Sequence, residues 1–84
     1  MNRNAMMTSS DDLDLARSLV GDMATVDLDF FNDDSAYDIM VTVTGDRAKH
    51  NKVVRLMKKN GYEMVERDVE IAVKPTYTGT YYFA

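Results

Sequence analysis

Leu15, Ala16, Leu19 and Val20 recur at the spacing of one helix face, behind Ser9-Ser10-Asp11-Asp12, which offers an N-cap and acid in the first turn, where the helix dipole favours it. This spacing predicts a helix over about 10–20, stopped at Gly21, where a left-handed backbone costs little. From Met23 to Phe31 the period changes to two: Ala24, Val26, Leu28 and Phe30 fall on one face, Asp27 and Asp29 on the other. Asn32-Asp33-Asp34-Ser35 is a turn by chemistry, because short polar side chains bond the nearby backbone. A second alternating run, Tyr37 to Thr44, turns Tyr37, Ile39, Val41 and Val43 inward and Asp38, Met40, Thr42 and Thr44 outward, so the two runs form a hairpin.

The same order then recurs. A second helix is expected from about Asp46 to Asn60, with Val53, Met57, His50, Val54 and Leu56 on its apolar side and the stop signal Asn60-Gly61 at its end. Tyr62 to Lys74 reads as a long strand with Val65, Val69, Ile71 and Val73 on one face. Arg67 falls in the apolar phase and Met64 out of it, which calls for a bulge or bend near Glu66-Arg67-Asp68. Pro75 separates this strand from a last one, Thr76 to Phe83. Two helix–strand–strand units predict an α+β fold: a four-stranded antiparallel sheet with both helices on one face. The arrangement corresponds to a permuted ferredoxin-like two-layer sandwich, with a meander sheet under the same helices as the competing topology. The 84 residues make one domain, with 1–8 expected to be flexible.

Charge sharpens this picture. Residues 1–46 hold ten Asp against only Arg3 and Arg17, whereas residues 47–84 hold eight Lys or Arg against four acids. The acids of the strands, Asp27, Asp29, Asp38, Asp68 and Glu70, are expected on the uncovered face of the sheet, and Arg47, Lys52, Arg55, Lys58 and Lys59 on the solvent side of the second helix. The particle is therefore expected to be electrically two-sided. The net charge of −4 argues against the whole molecule coating nucleic acid. With no cysteine there is no disulfide framework and no thiolate chemistry. The apolar runs are far shorter than the roughly 18 residues of a membrane span, and a cytoplasmic location with no membrane partner is expected.

Candidate chemistry is sparse. Asp27 to Asp38 has Asp at the first, third and twelfth places of a calcium loop, yet Phe31 stands where an oxygen ligand is needed and Asn32 where Gly is needed, so a hairpin turn is the better account. His50, the only histidine, lies on an apolar helix side with no serine or acid in triad relation to it. No catalysis, metal or cofactor is expected. The leading expectation is a non-enzymatic module that regulates or inhibits a protein with a basic surface, plausibly a nucleic-acid-handling one, through Asp27, Asp29, Asp33, Asp34 and Asp38. A viral host-takeover or anti-defence inhibitor is its most concrete form. The alternative is nucleic-acid binding by Arg47, Lys52, Arg55, Lys58 and Lys59, with Tyr62, Tyr77, Tyr81 and Tyr82 supplying rings for bases. A homodimer through the C-terminal strand is a further expectation, on the premise that this strand is an edge.

Overall fold

The computed structural model describes residues 6–31, 36–69 and 74–84. Helix α1 spans Ser9–Val20, and its N-cap is Thr8, whose hydroxyl accepts from the Asp11 amide at 3.1 Å. The cap lies one residue before the serines that the sequence suggested, still with Asp11 and Asp12 in the first turn. Gly21 ends the helix at φ 55° and leads into a short 3-10 turn over Gly21–Met23. Strands β1 (Thr25–Phe30) and β2 (Tyr37–Gly45) form the expected hairpin, in register from Thr25 opposite Thr42 to Phe30 opposite Tyr37.

Helix α2 spans Arg47–Lys59, capped by Asp46, which accepts from the Lys49 amide at 2.8 Å. Its C-terminus closes as a Schellman motif: the Tyr62 amide reaches the Met57 carbonyl at 3.1 Å and the Gly61 amide the Lys58 carbonyl at 3.3 Å. Gly61 supplies the positive φ of 93°, and Tyr62 and Met57 are both buried, as the motif's apolar contact requires.

Strands β3 (Met64–Val69) and β4 (Tyr77–Phe83) complete an antiparallel sheet of order β1-β2-β4-β3. The meander is thereby excluded, because β3 takes the outside position and β4 the inside. The premise of a homodimer through the C-terminal strand also fails: β4 is bonded to β2 on one side and β3 on the other, so no edge of it is open. Both helices lie on one face. Val26, Ile39, Val41, Val43, Tyr81 and Phe83 from the sheet share one core with Ala16 and Val20 of α1 and Val53 and Met57 of α2.

The bulge falls between Met64 and Glu66, earlier than the sequence suggested. Met64 opposes Phe83 and Glu66 opposes Tyr82, which leaves Val65 as the extra residue, 52% exposed and not on the core face. The shift turns Arg67, opposite Tyr81, to the helix side of the sheet. Asp33, Asp34, Glu70, Ile71 and Val73 lie outside the described residues, as do positions 1–5 of the segment expected to be loose.

Two buried polar groups tie the layers together. Asp12, 1% exposed, accepts from the Tyr62 hydroxyl at 2.6 Å and the Tyr37 hydroxyl at 2.8 Å, joining α1 to β2 and to the end of α2. His50 bonds the Tyr77 carbonyl through Nε2 at 2.8 Å and the Tyr81 hydroxyl through Nδ1 at 2.7 Å. A carbonyl can only accept, so Nε2 carries a hydrogen, and in the neutral imidazole Nδ1 accepts from the Tyr81 hydroxyl. No helix among the described residues is long and apolar enough to cross a membrane.

Candidate functional site

The side of the sheet away from the helices is open, and its residues follow from the register. Across it run Asp27, Met40, Tyr82 and Glu66 in one row, and Thr25, Thr42, Thr80 and Asp68 in the next. Thr44 and Thr78 continue the middle at 2.9 Å between hydroxyls, and Asp29 opposes Asp38 at the hairpin end. The carboxylates therefore form two borders, Asp27, Asp29 and Asp38 on one side and Glu66 and Asp68 on the other. A strip of threonines with Met40 and Tyr82 lies between them. Asp27, Asp29, Asp38 and Asp68 thus take the open face as expected, with a neutral strip between the two groups.

Asp29 and Asp38 occupy directly opposed positions, whose Cβ atoms lie about 4.5–5.5 Å apart in antiparallel pairs. Desolvation, and after it the neighbouring Asp29 charge, raise the Asp38 carboxyl above the usual carboxylate range. Asp27 is in a different setting. Arg17 reaches from α1 around the edge of β1, donating to the Val26 carbonyl from Nη2 at 3.1 Å and from Nε at 3.2 Å, and its Nη2 lies 3.8 Å from Asp27 Oδ1. One of the predicted contact residues is thus partly compensated by a cation of its own chain. Phe30 and Phe31, 52% and 43% exposed, flank the same hairpin end. Their exposure was not legible in the sequence, where alternation assigned Phe30 to the core.

The helix side holds a second feature. Helix α2 packs on β2 and β4, and β3 extends past its cover, all six of its residues exposed or half-buried. The result is a groove of about 1010 Å³ between α2 and β3. Arg47, Arg55 and Lys58 line one wall, Arg67 and Lys74 the other, and Val54, Met64, Val69, Tyr77 and Tyr81 contribute its apolar and aromatic lining. Among the described residues no carboxylate lines it. Lys52 and Lys59, expected on the same basic helix face, do not line it. The expected ring set divides as well: Tyr77 and Tyr81 line the groove, Tyr62 is buried against Asp12, and Tyr82 lies on the opposite face of the sheet.

The groove's aromatic residues are held from behind. His50 stacks on Tyr77 with ring centroids 4.0 Å apart and planes 11° from parallel, and it bonds the Tyr81 hydroxyl. Burial and the adjacent Tyr77 raise the Tyr81 phenol above its ordinary value, and Arg67 opposes that shift. Gly79 makes room for this packing. A Cβ there would meet Val69 Cγ2 at 2.9 Å and His50 Cε1 at 3.2 Å. Arg67 and Lys74 were absent from the predicted basic set. Only the signal that Arg67 fell in an apolar phase pointed to one of them.

Among the described residues no group of three His, Asp or Glu side chains is placed to hold a metal ion. Asp27 and Asp29 are strand residues opposite Met40 and Asp38, in ladder positions. Comparison with known families, curated proteins and solved structures finds no significant match.

Proposed function

We propose that this chain is a non-enzymatic binding module whose open sheet face docks on a protein with a basic surface, and that its role is to regulate or inhibit that protein. The observation that carries this reading is the bordered face itself. Carboxylates from β1, β2 and β3 border an uncharged strip of threonines with Met40 and Tyr82, a charge-free centre between charged margins, as protein interfaces have. The opposed pair Asp29 and Asp38 supports it further. Like charges directly opposite cost about 0.2–1 kcal/mol, a loss that an incoming Lys or Arg would reverse. Phe31, 43% exposed and two residues beyond Asp29, offers an aromatic anchor of the kind that dominates interface energies.

The partner class follows from spacing. Alternate residues on one strand lie about 6.4–6.8 Å apart, so Asp27 and Asp29, with Asp38 beside them, present a string of anions to cations arranged for phosphates. A nucleic-acid-handling protein is the partner that fits. For the fold, the strand order supports the permuted ferredoxin-like reading, since moving the first strand of such a sandwich to its end gives β1-β2-β4-β3.

The test uses immobilised protein and its native cell extract. A variant carrying Asp29→Lys, Asp38→Lys and Asp68→Lys keeps Asp27 with Arg17 and leaves the core untouched. It should retain its cooperative thermal unfolding and lose a specific basic protein that the unaltered chain captures. Capture of the same proteins by both forms would remove the reading.

A further inference from the structure

We infer that the groove between α2 and β3 binds single-stranded nucleic acid, with Arg47, Arg55, Lys58, Arg67 and Lys74 taking the backbone phosphates and Tyr77 taking a base. This goes beyond the protein-docking role of the open face, from which it is separated by the sheet.

Three observations converge on that ligand. First, five cations from α2, β3 and the segment before β4 face one concavity, and no described carboxylate enters it, so each adds to the same field. The amphipathic character of α2 accounts for cations on its solvent side, yet it does not account for Arg67, which the bulge in β3 turns to the helix side of the sheet opposite Tyr81. Second, three of the five are arginines, whose planar forks match phosphate oxygens two at a time. Third, the lining includes tyrosine. Tyr77 is half-buried, braced by His50 at 4.0 Å, and still part of the groove wall, so its ring is pre-oriented where a base could stack. A positively charged channel with aromatic rings in it is the arrangement by which unpaired strands are held without sequence readout. An acidic peptide would satisfy the cations and leave the rings without a flat partner.

The test is fluorescence anisotropy of the purified full chain with fluorescein-labelled oligothymidine and oligouridine of about twelve nucleotides, within the site size of one small domain. Binding of either at about 50 mM salt is expected, weakening steeply as salt rises. Arg55→Glu and Arg67→Glu, both at exposed positions, should each weaken it about tenfold or more and reduce the salt slope by roughly one or more. Tyr77→Leu should weaken it about fivefold or more through lost stacking. The controls Lys52→Glu and Lys59→Glu remove as much charge from α2 outside the groove and should change affinity by less than about threefold, the level of diffuse electrostatics. Absence of binding at low salt overturns the inference. So does equal loss in the control variants, and so does a polyglutamate peptide of matched charge that competes at the same concentration, which would assign the groove to an acidic protein segment. Because no partner protein is present, failure here leaves the docking role of the open face untouched.

Discussion

Asp12 shows how one side chain can hold two layers together. It sits in the first turn of α1, where the exposed amides favour a carboxyl group, and it accepts both the Tyr37 and Tyr62 hydroxyls while 1% exposed. Replacing Asp12 by Ala leaves two tyrosine hydroxyls without this acceptor and should cost about 2–4 kcal/mol, read as a lower urea midpoint with an unchanged slope. A loss under about 1 kcal/mol would mean that Asp12 does not organise this contact. The sequence marked Asp12 only as helix-start acid, because a first-turn carboxyl looks the same whether it meets solvent or two tyrosines 25 and 50 residues away. His50 was more legible. Its place on the apolar side of α2 announced burial, but Tyr77 and Tyr81 as its partners depend on the β4 register and on the space left by Gly79.

At the scale of elements, α1, β2 and α2 follow their sequence periods closely, because each has a local stop and a core face of uninterrupted phase, and β1 does so up to Phe30, which the phase assigned to the core and which is 52% exposed. β3 does not. Its bulge sits where Met64 can oppose Phe83, so packing of one half-buried methionine displaces Val65 and turns Arg67 to the groove. Alternation alone cannot fix the position of an extra residue, since the phase change is satisfied equally at several sites. The hairpin makes a testable case. The native Asp38 carboxyl holds its proton to higher pH than the unfolded chain does, so stability falls as pH rises through the interval between the two values. Asp38→Asn removes both the desolvated charge and its repulsion with Asp29. It should stabilise the fold at pH 7 by about 0.2–1 kcal/mol, or a few degrees in Tm. Calorimetry should show that gain vanish below the ordinary aspartate range near pH ~3.9; equal Tm values at pH 7 would contradict the pairing.

For the whole molecule, strand order decides which surfaces remain available. Placing β4 inside the sheet closes the aromatic strand to pairing and leaves β1 and β3 as edges, and each is guarded. Arg17 covers the Val26 carbonyl on β1, and β3 carries a bulge with exposed Glu66, Arg67 and Asp68. Sedimentation at physiological ionic strength should therefore give a monomer of 9.5 kDa; a stable dimer would require one of these edges to open. The sequence by itself determined the six elements, the core face of the hairpin and of α2, and the separation of acid in the first half from base in the second. All of these are set by neighbours within a turn or a strand. Only the tertiary structure decided that the carboxylates border a neutral strip, that Arg17 reaches Asp27, and that Arg67 and Lys74 join Arg47, Arg55 and Lys58 around two tyrosines. Those associations bring together residues up to about forty positions apart, and they depend on strand order, the site of one bulge and the reach of α2 across the sheet, which local periodicity does not encode.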